Sequence, residues 1–486
     1  IGSHECEFTT YFSESILARV YLVFKIDGAM PTQVDVETLQ AGIVNITRSW
    51  EDYLHTALLE AHGEEVSAQL LRDYREAFSP SYQEKYDART AVQDIHSIAE
   101  LSERQSIALS VYHSLTNEKA SFIQFKIFHR EHTLALSDVI PVLENLGFRV
   151  VSESAYDIRT KKGTVIWLHD FKLLHQFSSA IDLHAIKNQF MSAFAAIWNG
   201  SADSDAFNAL ITTAGLDWRE VVMLRAYAGY MHQTLFPFSA GYMAVALTNQ
   251  AALTHKLVEL FGLKFDPGLV DDTTPDRIEK LRADIAQRLD AVVNLNDDRI
   301  IRRFLALIDN TLRTNFYQQD AQGQAKPYLS FKFSPRQLNE IPAPRPLFEI
   351  FVYSPRMEGV HLRTSKVARG GLRWSDRLQD YRTEVLGLVK AQQVKNAVIV
   401  PSGAKGGFVC KKMPANATRE QQQTEGIACY QLFIRGLLDL TDNLIDGSIR
   451  APEKVVRYDD NDPYLVVAAD KGTASFSDIA NTISAE

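Results

Sequence analysis

Residues 397–407, Ala397-Val-Ile-Val-Pro-Ser-Gly-Ala-Lys-Gly-Gly407, decide how the last third of the chain is read. Ala397, Val398, Ile399 and Val400 predict a strand, since β-branched residues suit the pleat. Pro401 ends it, and Lys405 follows among glycines. In open α/β sheets ligands bind beyond the carboxyl ends of strands, so Lys405 is expected at a ligand site. Ser402, Gly403, Gly406 and Gly407 are expected to form a tight loop around it, because glycine tolerates positive φ and lets backbone approach a ligand.

Working outward, a helix is predicted at 379–395, with Val385, Leu388 and Val389 toward a core and Lys390 and Lys395 delivered near the same strand end. Upstream, Arg369-Gly370-Gly371-Leu372-Arg373 again sets basic residues among glycines. Downstream, a strand at 464–469 ends at Asp470, which would present its carboxylate at the same sheet edge. From Arg363 to Lys412, eleven Lys and Arg face three Asp and Glu, a net of +8 inside a chain of net −9. Such a cationic island suits capture of a small polyanion. Scattered solvated charge would explain the arginines and lysines alone, but not their interleaving with glycine beside an apolar helix stripe.

The rest of the chain reads as three further regions. Residues 5–25 predict two strands, followed by a helix striped with Val36, Leu39, Ile43, Ile46, Trp50 and Leu54 and a second helical stretch to about Glu76. Residues 119–175 read β-α-β-β: a strand at 121–128, a helix capped by Ser137 and stopped by Gly147, then strands at 148–156 and 163–168. This is most of a ferredoxin-like unit, the shape of ACT regulatory domains. Residues 182–318 are almost wholly helical, with Asp217 as an N-cap and no titratable cluster at active-site spacing. The domains expected are therefore 1–82 (α+β), 83–180 (ACT-like, ferredoxin-like), 181–318 (helical) and 325–486 (α/β), a multidomain α/β and α+β chain.

At 46% hydrophobic and 23% charged, the composition is that of a soluble globular protein. The acidic balance argues against nucleic-acid binding. No apolar run reaches the roughly 20 residues that span a bilayer. Cys6, Cys410 and Cys429 form no CxxC pair, which points to a reducing, cytoplasmic setting. The first residues carry neither an initiator Met nor a signal-peptide pattern, so the chain is expected to begin inside a longer protein. His129-x-x-His132 lacks a Cys or carboxylate at ligand spacing, and no metal site is expected.

Four stretches together resemble the glutamate dehydrogenase superfamily: GGLRW at 370–374, VKNAV at 394–398, PSGAKGG at 401–407 and AADKGTASFSDIAN at 468–481. The likeness is greatest to its very long, NAD-specific bacterial branch, whose regulatory regions the helical stretch 207–233 and the ACT-like unit also resemble. The resemblance implies oxidative deamination of L-glutamate to 2-oxoglutarate with NAD, in a homo-oligomer, with an amino-acid effector at the ACT-like unit. It casts Lys405 as the catalytic lysine that activates water and stabilises the carbinolamine. Lys395 would hold the α-carboxylate, and Asp470 would move protons to and from the amine. Arg369, with Gly370, Gly371, Arg373 and Lys390, completes the substrate-binding set. Arg369 stands where the family has lysine, and Ser402 where it has the first glycine.

The chemistry demands that a lysine base at neutral pH lose about three pKa units through burial and like charge, to which Lys395, Lys390 and Arg373 are expected to contribute. No G-x-G-x-x-G fingerprint occurs, so the Rossmann cofactor domain is expected outside this chain, which would bind glutamate weakly and not turn over NAD. The alternative is a non-catalytic, amino-acid-sensing scaffold.

Overall fold

A computed structural model describes residues 5–12, 18–25, 35–103, 105–113, 122–177, 182–338, 340–395 and 402–485. The chain divides into two compact units, one formed by Ile1–Ala108, Phe128–His132 and Tyr156–Leu168, the other by the remainder. In the first, strands β1 (Glu5–Phe12) and β2 (Ala18–Lys25) pair antiparallel. Helices α1 (Val36–Thr47), α2 (Trp50–Tyr74), α3 (Pro80–Lys85) and α4 (Ala88–Ala99) follow. The single apolar stripe expected through Leu54 is broken at Ser49. That side chain accepts from the Asp52 N–H while the Asp52 carboxylate accepts from the Ser49 N–H, a capping box that starts a new helix. Leu54, Leu58, Tyr82 and Ile95 bury their side chains in the core of this unit.

Strands β3 (Ile107–His113), β4 (Ile123–Arg130), β5 (Phe148–Arg159) and β6 (Val165–His175), with helix α5 (Leu136–Asn145) between β4 and β5, form a sheet in the order β3-β4-β6-β5. The expected strand–helix–strand–strand run is present. The cap is Ala135 rather than Ser137, which lies inside the helix. Gly147 does stop the helix, at φ 90°. The edge strand β3 had not been anticipated. Helix α6 (Leu183–Trp198) lays Phe190 and Phe194 against Phe125 of β4, at ring separations of 4.9 and 5.1 Å.

Helices α7 (Ala209–Thr213), α8 (Trp218–Gln233), α9 (Ala240–Asn249), α10 (Ala251–Phe265), α11 (Thr274–Leu289) and α12 (Leu295–Asn310) make the expected helical stretch, and Asp217 caps α8 in a capping box. A seven-stranded mixed sheet follows: β7 (Thr311–Thr314), β8 (Leu329–Phe333), β9 (Phe348–Tyr353), β10 (Met357–Arg363), β11 (Ala368–Trp374), β12 (Ser402–Cys410) and, beyond the short hairpin β13 (Asn443–Ile445) and β14 (Ser448–Arg450), β15 (Val466–Ala469). Its order is β15-β11-β12-β10-β9-β8-β7. Only β15, β11 and β12 run parallel; the other pairs are antiparallel. Helix α13 (Tyr381–Lys395) packs on β12. Helices α14 (Arg419–Leu438) and α15 (Ser477–Ala485) share a core with Leu372, Phe408 and Met357. The strand expected at 397–400 lies outside the described residues.

Buried charge ties the last segment to this sheet. Arg313 of β7 holds Asp442 at 2.8 Å and Asp459 at 2.6 Å, and Lys332 of β8 holds Asp459 at 2.5 Å and Asp462 at 2.6 Å. Arg363 of β10 also pairs with Asp462. Buried ions of this kind survive only when each finds opposite charge and hydrogen bonds. The network fixes the chain just before β15, and therefore the strand that delivers Asp470.

Candidate active site

Lys405 lies in the middle of β12, where it is opposite Leu362 of β10. The alternation of a strand sends Gly403, Lys405 and Gly407 to one face. That face meets α13. A Cβ on Gly403 would come within 2.5 Å of Gln392, and one on Gly407 within 2.7 Å of Val385. The two glycines therefore let α13 approach the sheet closely, and the lysine stem between them has bare backbone on either side. This corrects the expected loop. Ser402, Gly403, Gly406 and Gly407 are strand residues, and no positive φ occurs among them. Gly370 and Gly371 belong likewise to β11. A Cβ on Gly370 would fall 1.5 Å from the Ala404 carbonyl oxygen, so the residue there admits a neighbouring strand rather than a ligand.

Asp470 follows β15, which pairs in parallel with β11. Its Oδ2 accepts from Lys405 Nζ at 3.1 Å. Its Oδ1 accepts from the Lys471 N–H at 2.7 Å and from Arg373 Nη2 at 3.4 Å. The turn is fixed by Thr473, a buried residue whose Oγ accepts from the Asp470 N–H and donates to the Leu372 carbonyl at 2.7 Å. Gly371 completes the geometry, because a Cβ there would lie 2.9 Å from the Asp470 Cβ. Lys405 and Asp470 keep about one fifth of their side-chain surface in solvent, 21% and 19%, enough for a solute to reach both. Burial pushes the Asp470 carboxyl up, but the Lys471 N–H and the charges of Lys405 and Arg373 outweigh it and hold the group below the usual carboxylate range.

Arg373 is divided between two carboxylates, with Nη1 on Glu384 of α13 at 2.7 Å and Nη2 on Asp470. Ser375 donates to the other Glu384 oxygen at 2.6 Å. Burial raises the Glu384 pKa, and Ser375 and Arg373 more than reverse that. Arg369 is exposed, its Nε donating to the Tyr464 hydroxyl at 3.1 Å. Lys390 is exposed on α13. Lys395 is the last residue of α13, and its side chain lies outside the described residues. The fold thus joins Lys405, Asp470 and Arg373, and leaves Arg369 and Lys390 apart from that contact. Glu384, Ser375 and Thr473 were not foreseen. The Asp-Lys-Gly-Thr sequence does carry a turn signal that could have marked Thr473.

At the carboxyl ends of β11 and β12 a cavity of about 510 Å³ is lined by Trp374, Ser375, Asp376, Lys471 and Gly472, though by neither Lys405 nor Asp470. Among the described residues no three His, Cys, Asp or Glu side chains are grouped to hold a metal, and no helix is long and apolar enough to cross a membrane.

Known families match along nearly the whole chain. Residues 1–51 match the glutamate dehydrogenase ACT2 domain, 57–101 its helical motif 2, 106–186 its ACT3 domain and 202–267 its helical motif 3. Residues 284–486 match the catalytic domain of bacterial NAD-glutamate dehydrogenase. Proteins named NAD-specific glutamate dehydrogenase are 53% identical over 480 residues in Halomonas elongata, 49% over 488 in Pseudomonas aeruginosa and 40% over 507 in Mycobacterium tuberculosis. These alignments take in 99%, 100% and 99% of this chain, which spans only 30%, 30% and 31% of those relatives' length. With ACT, helical and catalytic matches in that order, the chain belongs to the bacterial NAD-glutamate dehydrogenase family.

Proposed function

We propose that this chain carries the substrate-binding part of an enzyme that oxidatively deaminates L-glutamate to 2-oxoglutarate and ammonia with NAD. The observation that carries the proposal is the 3.1 Å approach of Lys405 Nζ to Asp470 Oδ2, with both side chains partly open to solvent. In the reaction Asp470 takes a proton from the substrate ammonium, which leaves the amine ready to become an imine. The acceptor for the Cα hydride would be supplied by NAD. Lys405 then orients water toward the imine carbon and stabilises the carbinolamine, and Asp470 returns the proton to the departing ammonia. Lys395 holds the α-carboxylate, and Arg369 the side-chain carboxylate with the help of Lys390. Arg can grip that group through two parallel N–H bonds. Arg373 keeps Asp470 ionised and aimed.

The glycines of β11 and β12 do not fit a dinucleotide. They lie within strands, against neighbours, rather than at a strand–helix turn where N–H groups gather on a pyrophosphate. No residue of this chain is therefore assigned to NAD.

Residues 1–82, 83–180, 181–318 and 325–486 form the regulatory, ACT-like, helical and substrate-binding domains of a cytoplasmic homo-oligomer. The ACT likeness supports an amino-acid effector at the second of these. Lys405→Ala in the full-length protein is the test. We expect glutamate-dependent NADH formation to fall by roughly 10²–10⁴-fold. Unchanged turnover with altered binding or assembly alone would instead identify a regulatory scaffold.

A further inference from the structure

Helix α12 presents Arg299, Arg302 and Arg303 to a cavity of about 490 Å³, which Asp298, Asn310, Gln337 and Glu340 also line. The three arginines are not equally engaged. Arg302 donates to Asp298 at 2.8 Å and to Asp290 at 3.3 Å, so its charge is answered. Arg299 has no carboxylate partner among the described residues. It is exposed, and its guanidinium stands 5.6 Å from the ring centre of Phe236 and 5.8 Å from that of Phe238. Arg303 is 6% exposed, also lies over Phe236 at 5.8 Å, and its buried Nε has no hydrogen-bond partner among the described residues. Its one carboxylate contact among the described residues, to Glu340, is 3.8 Å long, and that glutamate keeps 54% of its side-chain surface exposed. A charge-assisted hydrogen bond is about 2.7–2.9 Å, so this contact leaves Arg303 largely uncompensated.

Residues four apart on a helix are neighbours, and like charges there repel. Arg299 and Arg303 are such a pair, held at one aromatic ring and lining one cavity. Burial, together with the charge of Arg299, disfavours the charged form of Arg303 despite Glu340. An anion with several oxygens would satisfy both guanidinium forks at once, as phosphate groups do. We propose that this cavity is an anion-binding site for a phosphate- or diphosphate-bearing solute, held by Arg299 and Arg303 with Gln337 at the rim. It belongs to α12 and is distinct from the face of β12 that carries Lys405.

The test is calorimetric titration of inorganic pyrophosphate, without divalent metal, into the 486-residue chain. Saturable binding is expected, weakened at least about tenfold in Arg299→Gln, a change at an exposed side chain that leaves the fold intact. Lys405→Ala should bind as the parent does. ADP run in parallel separates the sources: equal affinity assigns the site to the phosphates alone, and tighter binding assigns it to a nucleotide. The proposal fails if no saturable binding occurs, if Arg299→Gln binds unchanged, or if Lys405→Ala abolishes binding, which would place the anion on the cationic island instead.

Discussion

At Gly370 a methyl group would be 1.5 Å from a backbone oxygen of the neighbouring strand, whereas at Gly387, on the exposed side of α13, it would meet nothing within 4 Å. Gly370→Ala should therefore cost at least the 1–3 kcal/mol typical of overpacking, about the upper end or beyond, because backbone cannot step aside. Gly387→Ala should stabilise by roughly 0.5–1 kcal/mol through helix propensity. Urea denaturation of the two variants beside the parent decides this. His361 of β10 offers a pH test. It is buried, neither ring nitrogen has a partner among the described residues, and burial and the Arg363 charge lower its pKa to about 3. The unfolded chain binds this proton below about pH 6.5, while the folded chain refuses it until about pH 3. The stability is thus whole above 6.5 and drains away as the pH falls, by roughly 3 kcal/mol at pH 4. His361→Leu should flatten that acid limb in melts between pH 7 and 4; an unchanged limb would show that other groups set it. The meeting of Lys405 with Asp470 was legible from sequence, because each charged residue stands beside glycine near a strand. The reason for the glycines was not legible, since strand and turn glycines look alike until the neighbours are known.

The element most misjudged was β12. Its residues 402–410 contain three glycines, a composition that weakens a strand on its own. Pairing on both sides overrides this, with β10 antiparallel and β11 parallel. The long connection before β15 shows the same dependence on distant partners. Asp459 and Asp462 sit in a polar run that reads as a surface loop, yet both are nearly buried against Arg313, Lys332 and Arg363. Burial raises the Asp462 pKa, but Arg363 and Lys332 more than reverse it, so its contribution is present at neutral pH and is lost as the pH falls through its depressed value. Asp462→Asn leaves Lys332 and Arg363 short of countercharge and should cost about 3–5 kcal/mol. Because the segment leads into β15, the variant should also loosen Asp470. Hydrogen exchange at residues 466–473 would report this; exchange as slow as in the parent would show that β11 alone holds the strand.

Across the whole molecule, the charge pattern gathers +8 between Arg363 and Lys412 in a chain of −9. The structure spends part of that charge internally. Arg363, Arg373 and Arg382 are each paired with a carboxylate, Arg382 with Glu349 at 2.6 Å. Among the described residues, Arg369 and Lys390 are exposed without a carboxylate partner, while Lys405, paired with Asp470, stays partly open to a dianion. The chain should accordingly bind 2-oxoglutarate weakly, with affinity that falls as salt rises. Lys405→Ala should abolish the calorimetric signal, and salt-independent binding would point to an uncharged subsite.

By itself the sequence determined the order of the regions, most of the helices and strands, and Lys405 and Asp470 as candidates for one site, because periodicity, caps and side-chain chemistry are local properties. Only the tertiary structure decided that Ser402–Cys410 is a strand, that Arg373 is shared by Glu384 and Asp470, and that an acidic loop is buried. Each of these depends on partners far along the chain, and a buried charge or a packed glycine takes its meaning from the group it meets.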